Sequence, residues 1–408
     1  MPEPAHAGFK ARTPQPWDTT NRMTETADVI VVGLGAAGAA TLYQLARRGV
    51  RAIGLDRFSP PHDRGSSHGE TRITRQAVGE GAVYAPLAIR SHEIWRELEA
   101  ATGARLLETC GLLTLAPANG RVQAHGASNF LERAVVVAQA FDIPHERLSP
   151  GEVEARWPQF RLAGDETGLF EPGAGYVYPE RCIAAQLAEA QRLGARVVCE
   201  APALSIEEAG AGVRVVTVAG AFEANKVVGA VGAWSPGLIG GPFRRLTIQP
   251  QTLHWFSCED PAAFAPGRFP VFMWLRGEEA GDSFYGFPIV GPPEAGLKMA
   301  CESDDFIARV EDLDRTAPDG SGAKVFERHV RGRFWGIGPR VLRSAVCPYS
   351  TTPDSDFAVG WTSERVLAAS ACSGHGFKHS AALGEMLAEV VSGSSRSIPP
   401  EFALHRLG

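Results

Sequence analysis

A handful of side chains stand in settings that could do chemistry. Arg72 and Arg75 sit three apart in a polar, glycine-flanked loop, Gly65-Ser66-Ser67-His68-Gly69-Glu70-Thr71-Arg72-Ile73-Thr74-Arg75. Such a pair is either a solvated surface pair or a cationic floor that stabilises negative charge and grips a carboxylate with planar forks. His68 and Thr71 beside them favour the second reading. Lys378 follows Gly374-His375-Gly376-Phe377. Glycines so placed suit close approach of the backbone to a ligand, and a surface charge at a helix entry is the alternative. Lys298 follows Tyr285-Gly286-Phe287-Pro288 and a glycine–proline loop. A lone loop lysine is ordinarily solvated. Tyr285 and Tyr349 read as core or interface aromatics, and Cys347 as a small buried strand residue.

These groups need a scaffold, and the N-terminal segment supplies one. Residues 27–32 hold Val29-Ile30-Val31-Val32, an unbroken apolar run that suits a parallel strand covered on both faces. Gly33-Leu34-Gly35-Ala36-Ala37-Gly38 follows, then a helix with Leu42 and Leu45 on one side, Arg47 and Arg48 in its last turn and Gly49 as its stop. A second strand over 50–55 ends at Asp56, about twenty residues past the glycines. Gly33 permits the tight turn, Gly35 lets a pyrophosphate approach, and Gly38 lets helix and strand lie close. The helix N-terminus offers free N–H groups to phosphate, and Asp56 can accept from a ribose. All five parts in order point to a dinucleotide site. They do not separate FAD from NAD.

The 408 residues suffice for two lobes, since a single core stops growing near roughly 250–300 residues. A formal charge of -6 argues against nucleic-acid binding, which needs a basic face. No apolar run approaches the roughly 18 residues of a membrane span. Residues 1–22 lack the apolar core of a signal peptide. Residues 1–26 are read as a disordered extension, with Met23 suited to open the domain. The seven cysteines form no C-x-x-C pair, so neither a disulfide framework nor a zinc site is expected, and the cytoplasm is the expected compartment. No metal site is expected.

Downstream, helices are expected over 84–101, 121–141, 182–193 and 381–391. Strands are expected over 110–116, 195–199, 213–218, 222–231 and 365–369, a strand-like aromatic stretch over 247–287, and a linker over 144–158. A nicotinamide dehydrogenase would continue with successive βα units. Here β-rich stretches intervene before a glycine-rich helical motif near the C-terminus, which suits a chain that leaves the nucleotide lobe and returns.

The loop at 65–75 resembles the second signature of the monomeric sarcosine oxidase and N-methyltryptophan oxidase family. Val346-Cys347-Pro348-Tyr349 resembles that family's flavin-attachment strand, and Ser373-Gly374-His375-Gly376-Phe377-Lys378 its C-terminal flavin and substrate motif. The motifs stand in family order over residues 26–393. The resemblance implies an α/β (α+β overall) fold of the D-amino-acid-oxidase type. A Rossmann-like FAD-binding domain would be joined to a discontinuous second domain on a mixed, largely antiparallel β-sheet. The corresponding division is 27–110, 174–240 and 336–408 for the FAD-binding domain, with 111–173 and 241–335 for the substrate domain.

The resemblance also implies oxidation of a small secondary or primary amino acid or amine to an imine, with O2 reduced to H2O2, by a monomer. FAD would be attached through Cys347. Cofactor contacts would come from Gly33, Gly35, Ala36, Ala37, Gly38, Asp56, Arg57, Ser66, His68, Thr71, Arg72, Ala203, Gly232, Trp234, Gly374, Gly376, Phe377 and Lys378. Arg72 would lie against the flavin, Arg75 and Lys378 would hold the substrate carboxylate, and Lys298 would activate O2, with Tyr285 and Tyr349 lining the pocket. The chain departs from the sarcosine-specific pattern at Glu302, where those members have histidine. Glu302 is therefore expected to meet a hydroxyl or ammonium group, or to pair with a cation. Alternatives are an amine dehydrogenase that passes electrons to a carrier, a fructosyl-amino-acid-type oxidase, and a flavoprotein kept for binding alone.

Overall fold

The computed structural model describes residues 25–408 apart from 121, 304, 395 and 396. The extension expected over 1–26 lies outside the described residues up to position 24; Glu25 and Thr26 already belong to the first strand, Glu25–Val32.

That strand is the centre of the first sheet. It pairs in parallel with Ala52–Leu55 on one side and with the long strand Gly220–Gly229 on the other. Its alternating side chains explain the unbroken apolar run. Val29 and Val31 enter the core under the helices, while Ile30 and Val32 enter a second core on the opposite face. Arg196–Val198 extends the sheet beyond Ala52–Leu55. Gly220–Gly229 divides its far edge: its first half pairs antiparallel with Gly212–Thr217, and its last residues pair in parallel with Val366–Ser370. The chain thus returns to this sheet near its end. Ala358–Trp361, a strand the sequence reading lacks, completes the return.

The helix Ala36–Arg47 lies against the C-terminal helix Ser380–Val391. Gly384 sits directly on Ala40, and a Cβ there would overlap the Ala40 side chain and the backbone beneath it. A glycine is required by proximity here, not by backbone angle.

The second sheet runs in the order Ile337–Thr351, Thr247–Cys258, Leu297–Cys301, Phe284–Gly286, Val271–Trp274, Leu112–Pro117, Glu166–Glu171 and Glu146–Leu148. Val271–Trp274 pairs in parallel with Leu112–Pro117, and the remaining pairs are antiparallel. One face is packed with Phe160, Phe256, Phe269, Phe272, Trp274 and Phe334. Residues 337–351 belong to this sheet, so the stretch from 336 does not all return to the nucleotide lobe. The reason is physical: they pair along nearly the whole of Thr247–Cys258.

Other elements also depart from expectation. The stretch 144–158 is no linker; it holds the strand Glu146–Leu148 and the helix Pro150–Arg156, whose Ser149 and Glu152 form a capping box. The helix expected over 121–141 begins at Phe130, after a small hairpin of Gln123–Ala124 and Ala127–Ser128; Arg121 lies outside the described residues. A third, three-stranded sheet of Arg72–Thr74, Gly175–Val177 and Leu107–Glu108 carries the arginine loop. Among the described residues, no helix is long and apolar enough to cross a membrane, and no group of side chains could hold a metal ion.

Candidate active site

A cavity of about 720 Å3 runs from the glycine turn to the interior of the molecule. At its outer end lie Gly33, Gly35, Ala36 and Ala37, then Asp56, Arg57, Ala203, Gly232 and Trp234. Gly33 has φ +87°, and a Cβ there would clash with the Ala230 carbonyl oxygen at 2.5 Å. Gly38 does not line the cavity: it packs onto the Gly33 carbonyl and lets the helix start against the turn. Asp56 accepts from Leu34 N at 2.6 Å and from Phe58 N at 2.8 Å, so it fixes the turn while keeping lone pairs for a ribose. Arg57 stacks over Trp234 at 5.5 Å and reaches Glu311 at 3.6 Å. Turn, free helix N-terminus and buried acid fit a dinucleotide diphosphate.

The loop 65–72 forms the floor further in. Its backbone is held from three sides. Lys298 Nζ donates to Gly69 O at 2.8 Å and Thr71 O at 2.7 Å. Glu180 accepts from Gly69 N and Glu70 N. Arg72 donates to Ser66 O and Thr71 O. Ser66, Thr71, Arg72 and Lys298 line the cavity. His68 does not line it; it is buried, and burial drives its pKa down to about 4, so the ring is neutral near neutral pH. Burial also lowers the Lys298 ammonium well below its ordinary range, and Arg72 adds to this. The side chain lies 4.0 Å over the Phe287 ring.

The inner end brings Arg75 and Lys378 together, with a partner that sequence reasoning missed. Glu80 Oε1 accepts from Arg75 at 2.7 Å and from Lys378 Nζ at 2.9 Å, and all three side chains are almost fully buried. Burial alone would raise the Glu80 carboxyl, but the two cations outweigh it and hold it well below the usual carboxylate range. Burial pushes the Lys378 ammonium down to about 7, against the pull of Glu80. Two buried basic side chains thus converge on one carboxylate oxygen. Arg75 Nε is buried without a hydrogen-bond partner, so the cluster retains a donor for an anion.

Several elements position this cluster. Glu171 accepts from Gln76 N and Ala77 N, just past Arg75. Arg133, on the helix Phe130–Ala140, donates to Gly79 O and Glu80 O. Gly374, at φ +79°, and Gly376 turn the chain into the helix at Ser380, and the His375 carbonyl accepts from Lys378 at 2.8 Å. Tyr285 and Tyr349 line the cavity with their hydroxyls 3.4 Å apart, as do Gly374, Gly376 and Phe377. Cys347 is fully buried while Tyr349 and Ser350 beyond it line the cavity. Burial raises its thiol pKa, opposed by Arg72 and Lys298. Glu302 does not line the cavity; it pairs with His125, which does.

The missed residues gave little signal. Glu80 stands between Gly79 and Gly81, and a carboxylate so flanked reads as a turn. Only the packing of Gly79 against Phe130 shows that the turn is buried. His125 is a lone histidine at a hairpin tip.

The fold and site define an FAD-dependent oxidoreductase. The family model described as FAD dependent oxidoreductase (DAO) matches residues 28–390, and the chain belongs to that family. The chain is 36% identical over 375 residues to a monomeric sarcosine oxidase of Streptomyces avermitilis, covering 90% of this chain and 94% of that protein. It is 34% identical over 366 residues to N-methyl-L-tryptophan oxidase of Yersinia pestis, covering 88% and 94%. Among solved structures it superposes on NikD, an unusual amino acid oxidase essential for nikkomycin biosynthesis, with TM-score 0.77 and 22% identity over 93% of this chain and 98% of that one. L-proline dehydrogenase from P. horikoshii gives TM-score 0.74 at 19% identity, over 94% and 98%. These two likenesses concern the fold.

Glu80→Gln removes the one carboxylate hydrogen-bonded to both buried cations. We expect it to lower unfolding free energy by about 3 kcal/mol or more, the usual loss when a buried ion pair is broken. A saturating small carboxylate should restore part of that loss in the variant, and more of it than it adds to the wild type. Thermal or denaturant unfolding with and without the acid checks this. Equal ligand-induced shifts in both proteins would show that the cations do not share an anion site.

Proposed function

We propose that the protein is an FAD-dependent oxidase of the C–N bond of a small secondary or primary amino acid, giving an imine and H2O2. The observation that carries this reading is the Arg75–Glu80–Lys378 cluster at the inner end of the dinucleotide cavity. It offers a carboxylate two buried basic side chains that meet at one hydrogen-bonded carboxylate oxygen. The family membership and the names of the relatives support the same chemistry.

Bound FAD would supply the two-electron acceptor, taking a hydride equivalent from the carbon next to nitrogen. This chain's residues would do the rest. Gly33, Gly35 and the following helix would hold the diphosphate, and Asp56 the ribose. Arg72 and the loop 65–72 would form the floor. Arg75 and Lys378 would fix the substrate carboxylate, with Tyr285 and Tyr349 beside it, so that the C–H bond is presented at a set position. Loss of H– from carbon and H+ from nitrogen leaves the imine, which water converts to carbonyl and amine.

Lys298 is the proposed oxygen-side residue. Reduction of O2 begins with one electron and yields superoxide. A buried amine whose pKa is depressed is poised to take up a proton when negative charge develops beside it. Cys347, in the segment Val346-Cys347-Pro348-Tyr349, is the proposed point of covalent attachment, and Arg72 and Lys298 favour its thiolate against the cost of burial. A monomer is the proposed state, and the cytoplasm the proposed compartment, consistent with seven free cysteines. Transfer of electrons to a carrier instead of O2 is the second reading, and the absence of H2O2 under turnover would mark it.

Lys298→Met keeps the length of the side chain and removes the amine that would take up the proton. We expect air reoxidation of the reduced protein to slow at least about a hundredfold, or roughly 2.7 kcal/mol of barrier, while anaerobic reduction changes much less. Stopped-flow absorbance separates the two halves. Unchanged reoxidation would remove Lys298 from the oxygen step. Acid precipitation tests attachment: the wild-type pellet should stay yellow, and the Cys347→Ala pellet should not. Flavin released from a fully loaded wild type would sink the covalent link without touching FAD binding.

A further inference from the structure

The inner end of the cavity has a second polar wall that the reaction above does not use. His125 sits at the tip of the hairpin Gln123–Ala124 and Ala127–Ser128, with its backbone at φ +47°, and it lines the cavity. Its Nδ1 lies 3.1 Å from Glu302 Oε1, just past the strand Leu297–Cys301. The ring rests on Gly374: a Cβ there would come within 3.0 Å of Nδ1 and 3.3 Å of the Tyr349 ring. His125 therefore shares a glycine platform with a tyrosine of the pocket. Its ring centroid is 5.3 Å from that of His375, whose Nδ1 is 3.8 Å from Glu80. The basic cluster and a histidine backed by a carboxyl thus lie at the same end of the cavity.

Charge and valence narrow what this wall can meet. Burial drives His125 to about 4, with Glu302 and Glu80 opposing and His375 and Lys378 assisting, so the ring is neutral near neutral pH. A neutral imidazole whose Nδ1–H donates to a carboxylate has Nε2 as an acceptor. Glu302, which pulls against the fall in the His125 pKa, adds negative potential behind the ring. Met273 and Phe287, which also line the cavity, offer it no hydrogen bond. A polar wall of this kind discriminates against a ligand that leaves it unpaired.

We infer that the His125–Glu302 pair is a specificity device that selects amino acids whose side chain ends in a hydrogen-bond donor, an ammonium ahead of a hydroxyl. The inference rests on Arg75 and Lys378 taking the substrate carboxylate, as proposed above. The carboxylate anchors one end of the ligand, and the donor pairs at the other. No bond is made or broken in this selection.

Binding to the flavin-loaded protein tests it without turnover. Straight-chain carboxylic acids of three to six carbons, each ending in methyl, hydroxyl or ammonium, would be titrated by their perturbation of flavin absorbance. At the best length the ammonium acid should bind about tenfold more tightly than the methyl acid, with the hydroxyl acid between. Glu302→Gln keeps shape and hydrogen bonding but removes charge, and should erase the preference for ammonium over hydroxyl. His125→Phe should erase the preference for either donor over methyl. Equal or tighter binding of the methyl acids at every length, or an unchanged order in both variants, would overturn the inference and leave the carboxylate reading standing. If no acid perturbs the flavin, the carboxylate reading fails and takes this inference with it.

Discussion

One buried carboxylate, Glu80, holds the inner end of this molecule together. Arg75 follows the strand Arg72–Thr74, and Lys378 precedes the C-terminal helix, so the two cations arrive from distant parts of the chain. Without an anion between them, burying both would cost several kcal/mol each. Around Glu80 the backbone is correspondingly over-determined. Arg133 grips the Gly79 and Glu80 carbonyls, and Glu171 grips the amides of Gln76 and Ala77. Glu171 itself is fully buried, and burial raises its carboxyl pKa despite those two amides. These contacts convert a polar loop into a rigid bracket. Its two basic side chains show how a chain of net charge -6 could take the proposed acidic ligand: the local field decides, not the sum.

The loop 65–72 is the second bracket, and it joins the two lobes. Its carbonyls accept from Lys298, on the second sheet, and its amides donate to Glu180, at the start of the helix Pro179–Arg192 on the nucleotide side. Lys298 and the floor of the cavity are thereby fixed by the same hydrogen bonds. Any motion of the loop moves Lys298 with it, so the two halves of the proposed reaction share one support.

The nucleotide half of the fold was legible because it is local. Strand, glycine turn, helix and acid follow one another within a single βαβ segment, and Gly33 and Gly38 have the steric reasons that the spacing implies. The cationic residues were legible through the motifs that carry them. What the sequence hid is non-local. Glu80 acts only because Arg75 and Lys378 reach it, and no periodicity reports a contact between positions 80 and 378. His125 meets Glu302 across a hairpin and a strand end, and neither residue carries a pattern of its own. The misplaced boundary at 336 has the same origin. The strand Ile337–Thr351 is set by its partner Thr247–Cys258, and its own sequence suits either sheet.

The cluster of Arg75, Glu80 and Lys378 is the proposed carboxylate site, and it would select amino acids over simple amines. The most direct measurement is anaerobic mixing of the flavin-loaded protein with amino acids and with the amines obtained by removing only their carboxyl group. Loss of the flavin's visible absorbance follows the reaction. Amino acids should reduce the flavin and their decarboxylated counterparts should do so at least about a hundredfold more slowly, as two lost charge-assisted contacts require. Equal rates for a matched pair would contradict the assignment and leave the buried cluster a structural ion triad.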